Sequence, residues 1–73
     1  MNNKLIIAKY ESDGRGGVYL HCRREDMHPR VPNFPVHFGK WGVHRSRSSH
    51  LMVTKDELKW LRDKAIAYTS GTA

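Results

Sequence analysis

The sequence has a single cysteine and no long apolar run, and each shortage excludes a class of protein. Cys22 alone cannot form an internal disulfide, and one free thiol is typical of a reducing compartment. No apolar run approaches the roughly 20 residues that cross a bilayer. The apolar start is too short for a secretory signal and runs directly into charged residues. We therefore expect a soluble protein of the cytoplasm, with no membrane partner.

Acidic residues are also scarce, and they are missing altogether from the middle of the chain. Seven Asp and Glu stand against thirteen Lys and Arg, which gives a net charge of +6. Residues 27–53 contain no acidic residue, yet they contain four cations and four of the five histidines. The four cations are Arg30, Lys40, Arg45 and Arg47. A field this one-sided is typical of a protein that meets a polyanion or an acidic partner surface.

A chain of 73 residues predicts one small domain, 1–73, with flexible ends at 1–3 and 69–73. Two β-branched or alternating segments, 4–11 and 18–24, predict strands, and the Asp- and Gly-rich segment 12–17 predicts the hairpin loop between them. Alternation places Cys22 on the apolar face of the second strand, as a small core residue. An isolated hairpin is barely stable, so another element must cover that face.

Three prolines predict that residues 28–35 form an extended crossover loop, because neither a central strand nor a helix interior tolerates that spacing. Four apolar side chains should point inward from this region: Val31, Phe34, Val36 and Phe38. Residues 39–42 should form a tight turn that carries Trp41, followed by a polar loop over 45–49. Residues 50–54 predict a brief third strand or the approach to a helix.

The clearest local pattern predicts a helix from about 55 to 68. Thr54 and Glu57 have the spacing of a capping box, and Val53 with Leu58 have the spacing of a hydrophobic staple. The predicted fold is therefore a small α+β domain. An N-terminal antiparallel β-hairpin, with or without the short third strand, packs on one C-terminal α-helix.

Helical periodicity assigns the faces of this helix. Its apolar face should cover the hairpin and consists of Leu58, Leu61, Ala65 and Tyr68. Trp60 falls on the opposite face, and two interpretations remain open for it. The ring either folds over a neighbouring loop, such as the proline-rich crossover, or anchors a partner, as tryptophans at binding hot spots do.

Metal binding and catalysis have little support in the sequence. Cys22 and His28 are six residues apart, and His37 and His44 seven, whereas structural zinc ligands are usually paired at shorter spacing. No third group is evident that would orient a Cys–His pair for nucleophilic attack. We predict a protein that is not an enzyme and that holds no metal or cofactor.

The acid-free middle supplies the candidate binding residues. We predict a partner-binding basic face made of Lys40, Trp41, His44, Arg45 and Arg47. One alternative is a small, basic nucleic-acid-binding domain without sequence specificity, in which cations contact phosphates and Trp41 or Phe38 stacks on bases. A second is that both aromatic rings belong to the core and that the charged loop only confers solubility. With so few permanent charges, nucleic-acid affinity alone should be modest and salt-sensitive.

The short chain, the basic middle and the capped final helix together resemble the small transcription regulators that lytic bacteriophages direct against host RNA polymerase. The resemblance runs from "MNNKLIIAKYESDG" to "AYTSGTA". It implies a monomer in the host bacterial cytoplasm that binds bacterial RNA polymerase near the amino terminus of the β′ subunit and the flap of the β subunit. It also implies sigma displacement, which inhibits initiation, and antitermination, with nascent RNA or DNA close by. No family motif assigns these contacts to individual residues.

Overall fold

The structure, a computed structural model, describes residues 3–45 and 53–71. They form a compact α+β domain, in which an antiparallel sheet with strand order β1-β2-β3 packs on a C-terminal helix. The elements are β1 (Leu5–Ser12), β2 (Val18–Arg24), β3 (Phe34–Phe38), a 3₁₀ turn (Lys40–Gly42) and α1 (Lys55–Thr69). The predicted fold class is confirmed.

The first hairpin forms where the sequence predicts it. β2 has the predicted bounds, and β1 begins and ends one residue later than predicted. Asp13 organises the loop, because its Oδ1 accepts hydrogen bonds from the backbone N–H groups of Arg15 (2.7 Å) and Gly17 (2.8 Å). An Asp side chain that closes its own turn in this way favours a tight hairpin.

The third strand does not lie at the predicted place. Part of the proline-rich segment, predicted as loop, forms β3, which pairs antiparallel with β2 and sets Pro35 opposite His21. Proline is tolerated there because β3 is an edge strand, which leaves one side of its backbone without ladder partners. Of the predicted strand 50–54, residues 50–52 lie outside the described residues. Val53 and Thr54 are not in a strand.

The core lies between the sheet and α1. Its buried members are Leu5, Val18, Leu20, Cys22, Val36, Phe38, Leu61 and Ala65. The side chains of β2 alternate between buried and half-buried as predicted from Val18 to Arg23, and Cys22 is buried as expected. The predicted inward orientation is confirmed for Val36 and Phe38, while Phe34 is half-buried. It is wrong for Val31, which is 44% exposed beside the prolines.

The helix begins with the predicted capping box. Thr54 Oγ1 accepts a hydrogen bond from the Glu57 N–H (3.1 Å), and Glu57 Oε1 accepts one from the Thr54 N–H (2.8 Å). Val53 and Leu58 are half-buried against the core. The helix ends at Thr69, one residue later than predicted. At fifteen residues, with charged groups throughout, α1 is too short and too polar to span a bilayer, and this holds for every helix in the described part of the chain.

An ion pair that the sequence did not predict ties the helix to the sheet. Both guanidinium nitrogens of Arg24, at the end of β2, donate to the two carboxylate oxygens of Glu57, with Nη2 to Oε1 at 2.7 Å. The hydrogen bond from Arg24 lowers the pKa of Glu57 from 4.5 to about 2, and the Thr54 N–H adds to the shift. Glu57 therefore caps the helix and joins it to β2 at once.

Candidate functional site

The candidate site is built on the turn that follows β3. The chain reverses after Phe38 and returns at His44, which forms a single antiparallel bridge to Phe38. The Gly39 N–H donates to the Val43 carbonyl (2.7 Å), and the Arg45 N–H donates to the His37 carbonyl (2.8 Å). These bonds hold Lys40 and Trp41 at the tip of a closed turn.

Trp41 has a strained backbone and an exposed ring. Its φ of 68° makes it the only non-glycine residue with positive φ in residues 3–45 and 53–71, and its side chain is 82% exposed. A left-handed conformation costs a bulky residue roughly 1–2 kcal/mol. Because the ring is so exposed, its packing contributes little free energy to offset that cost. Residues held in strain without a structural return are concentrated at functional sites.

A polar cleft of about 200 Å³ lies beside this turn. It is lined by Asp13 and Arg15 from the first hairpin loop and by His37, Gly39, Lys40 and Arg45 from the end of β3 and its turn. The Arg45 side chain lies across Gly39, where a Cβ would collide with its Nε. The Lys40 stem packs against Gly16, within van der Waals reach of a Cβ placed there. We call the cations Arg15, Lys40 and Arg45 the cleft cations.

The one carboxylate in the cleft, that of Asp13, already accepts three hydrogen bonds. Asp13 Oδ2 accepts from His37 Nε2 at 2.8 Å, while Oδ1 accepts the two loop N–H groups. The bond from His37, followed by the one from Arg15 N–H, lowers the pKa of Asp13 to about 2. Within the described residues, none of the cleft cations forms an ion pair with a carboxylate. The cleft therefore has a net positive charge, and its three cations could interact with an anionic ligand.

The structure brings together three of the predicted basic-face residues. Lys40, Trp41 and Arg45 share the exposed surface of the turn. His44 is half-buried, with its ring tilted against Phe38 at 5.3 Å between centroids, so it supports the turn from inside. Arg47 lies outside the described residues. Phe38 is fully buried and Trp41 exposed, so the alternative that placed both rings in the core is wrong for Trp41.

Two histidines on the outer face of the sheet are half-buried and lie within hydrogen-bond distance of a carboxylate. His37 is half-buried, bonded to Asp13 and stacked on Tyr19 with 4.2 Å between ring centroids. His21 Nε2 lies 2.9 Å from Glu11 Oε1 on the same outer face of the sheet. In the described parts of the chain, no three His, Cys, Asp or Glu side chains are grouped so that they could hold a metal ion.

Arg15 is the one cleft cation that the sequence analysis did not predict. In a three-stranded antiparallel meander, the loop after the first strand and the turn after the third lie at the same end of the sheet. The pairing of Val18 with Phe38 sets this alignment. The sequence places Arg15 in the first hairpin loop, but its closeness to Lys40 and Arg45 follows only from the pairing of β3 with β2.

Trp60 lies at a second, more apolar site. A groove of about 410 Å³ runs beside β1 and is lined by apolar side chains that include Leu5, Ile7 and Tyr10, with Trp60 and Lys64 from α1. The ring is 40% exposed. The groove includes no residue of the proline-rich crossover, so the structure gives that example of a covered loop no support. Its service as a partner anchor stays a prediction.

Comparisons with known proteins add no relative to this geometry. No protein-family model, curated protein or solved structure matches the chain. The resemblance to phage regulators of RNA polymerase therefore stays a prediction. Function has to be argued from the exposed tryptophans and the cleft cations themselves.

Proposed function

We propose that this protein binds bacterial RNA polymerase and regulates transcription, inhibiting initiation by sigma displacement and promoting antitermination. The observation that carries the proposal is the exposed, strained Trp41 beside the cleft cations. A folded domain gains little stability from so exposed a side chain, whereas tryptophan and arginine are among the residues most enriched at binding hot spots. The choice of polymerase as the partner rests on the sequence resemblance.

A macromolecular partner suits this surface better than a small molecule does. Trp41 and Trp60 project from different parts of the domain, Trp41 next to Lys40 in the turn after β3 and Trp60 beside an apolar groove. Positive charge steers association with acidic surfaces, and a buried aromatic anchor slows dissociation. A polymerase surface from which RNA emerges would offer both acidic protein and phosphates. Docking there would raise the local concentration of phosphate, so strong autonomous affinity for nucleic acid is unnecessary.

Affinity capture from a bacterial lysate, with and without nuclease, tests the proposal. We expect polymerase subunits to be retained after nuclease treatment, and we expect sigma to be depleted from the captured enzyme. Loss of every partner on nuclease treatment would contradict the proposal and favour the alternative of a small, non-sequence-specific nucleic-acid-binding domain.

Trp60→Ala refines the same capture experiment. If Trp60 is an anchor, this variant loses polymerase while its melting curve stays cooperative. Lys59→Ala is the matched control, because it truncates the adjacent exposed side chain of α1. A Trp60→Ala protein that melts early but still binds polymerase would assign the ring to the fold.

A further inference from the structure

We infer that the cleft and the Trp41 ring together form a subsite for one nucleotide of a single-stranded nucleic acid, with the phosphate among the cleft cations and the base on the indole. The inference goes beyond the proposed function, since it names a ligand that the domain would hold without polymerase. It uses Arg15 and His37, which the predicted basic face did not include.

The cleft has the chemistry and the size for a phosphate group. Two guanidinium groups and one ammonium line a space of about 200 Å³, and a phosphate fits in that volume. Guanidinium forms charge-assisted bonds with phosphate oxygens, often in pairs. The Asp13 carboxylate would repel a phosphate if its oxygens faced the ligand without partners. Its three hydrogen bonds, including the one from His37 at 2.8 Å, offset part of that repulsion.

The cleft is held in place by several backbone contacts. Arg15 is fixed through its N–H bond to Asp13, and Arg45 through its N–H bond to the His37 carbonyl. A Cβ at Gly17 would collide with the Phe38 carbonyl, so the first hairpin loop packs directly on the end of β3. These contacts fix the backbone positions from which the cations project, which lowers part of the entropy cost of holding an anion.

Trp41 provides the stacking surface next to the cleft. Lys40 connects the two features, because its ammonium lies 5.9 Å from the Trp41 ring centroid while its side chain also lines the cleft. Trp41 and Lys40 also line a recess of about 340 Å³ with Ile66, Thr69 and Ser70 near the end of α1, and Trp41 remains 82% exposed. A flat base can therefore stack on the indole without a clash with the domain.

This geometry selects an unpaired base and does not read its identity. Stacking needs an exposed base face, which a duplex hides between its neighbours. Cations on the phosphate fix the position of the strand and carry no sequence information. We therefore expect binding of single strands of any sequence. RNA and DNA share this chemistry, and the experiment must separate them.

The test uses the intrinsic fluorescence of Trp41. The chain has two tryptophans, so Trp60→Phe leaves Trp41 as the only indole. This protein is titrated at low salt with a short single-stranded RNA, a DNA of the same sequence, and an abasic strand with the same number of phosphates. We expect both strands that carry bases to quench Trp41. The abasic strand should bind more weakly and leave the emission nearly unchanged, because it offers phosphates without a base to stack. A lower dissociation constant for RNA or for DNA identifies the preferred source.

Arg15→Gln and Arg30→Gln form a matched pair for the phosphate half of the subsite. Each removes one exposed arginine, but only Arg15 lines the cleft. We expect Arg15→Gln to weaken binding about fivefold to tenfold, as loss of one charge-assisted contact does, and Arg30→Gln to weaken it less than twofold. The slope of log affinity against log salt should fall by about 0.7 for Arg15→Gln.

Equal effects of Arg15→Gln and Arg30→Gln would overturn the inference, because they would mean attraction by net charge alone. Binding without any change in Trp41 emission would overturn it as well. Anisotropy of a labelled strand, measured with Trp60 intact, gives the same affinities if Trp60→Phe disturbs the fold. The proposed function is judged separately by capture of polymerase after nuclease. A protein that passes one test and fails the other therefore shows which of the two proposals is wrong.

Discussion

At the scale of single residues, the exposed turn and the half-buried ion pair are opposite cases. Trp41 adopts a costly backbone conformation at a place where burial returns little. Arg24 and Glu57, in contrast, satisfy each other's charges and link β2 to α1. We therefore expect a change at Trp41 to affect stability and partner binding in opposite directions. We expect the Arg24–Glu57 pair to make stability depend on pH.

Trp41→Asn should raise the stability of the isolated domain. Asn adopts the left-handed region at lower cost than Trp, so the free energy of unfolding should rise by about 0.5–1 kcal/mol while partner binding falls. Trp41→Ala is the control, since Ala removes the ring but keeps the strain. Chemical denaturation of both variants measures the difference. A loss of stability in Trp41→Asn would show that the ring supports the fold.

Glu57→Gln should flatten the acid transition. The pKa of Glu57 is lowered from 4.5 to about 2 in the folded protein. The unfolded chain therefore takes up a proton more readily, so this stabilisation is present above about pH 4.5 and is lost as pH falls toward 2. Gln keeps the capping hydrogen bonds and removes the titration. Unfolding free energies measured across this range should depend less steeply on pH in the variant.

The exposed Asp56, in the same helical turn, provides the comparison for Glu57. Asp56→Asn should retain the steep acid transition, because the Arg24–Glu57 pair is intact. A parallel pH profile in Glu57→Gln and the unchanged protein would mean that the ion pair forms weakly in solution.

At the scale of elements, local sequence patterns predicted the elements that local interactions determine, which are β2 and the start of α1. The bounds of β2 follow from strict alternation, and the start of α1 follows from Thr54 and Glu57. β3 could not be found in this way, because its pairing with β2 outweighs the turn signal of Pro35. Arg15 was missed for the same reason, since only the pairing of Val18 with Phe38 brings its loop to the cleft.

The helix cap allows a direct stability test. Thr54→Ala removes the hydroxyl that accepts the Glu57 N–H, and it should lower the free energy of unfolding by about 1 kcal/mol. In a domain of this size, that loss lowers the melting temperature by about 4–8 °C. Thr54→Ser retains the hydroxyl and should melt near the unchanged protein. An unaltered melting temperature in Thr54→Ala would mean that the cap contributes little to the fold.

At the scale of the whole molecule, three cations meet at one end of the sheet. The first hairpin loop and the turn after β3 bring Arg15, Lys40 and Arg45 to a common surface, although Arg15 is remote from the others in sequence. The apolar groove beside Trp60 lies along β1 and α1. The domain therefore presents two surfaces of different chemistry, and each can be altered while the other is kept.

The triple variant Lys40→Ala, Arg45→Ala and Arg47→Ala should keep its melting temperature, since Lys40 and Arg45 are exposed. It should bind polymerase more weakly and lose terminator read-through, with the largest deficit at low salt, because higher salt screens the same charges in the unchanged protein. The control removes three exposed cations elsewhere, at Lys9, Arg30 and Lys59. Full polymerase affinity and read-through in the first triple variant would show that the basic stretch serves only solubility.

The buried Cys22 thiol can be used to measure how often the core unfolds. Burial raises the pKa of Cys22 to about 12, and the side chain is enclosed between the sheet and α1. Thiolate is the reactive species, so an alkylating reagent can modify Cys22 only in molecules whose core has come apart. The rate of alkylation then measures how often that happens. The ratio of the alkylation rates measured without and with a bound partner gives the protection that binding confers on the core. No added label is needed.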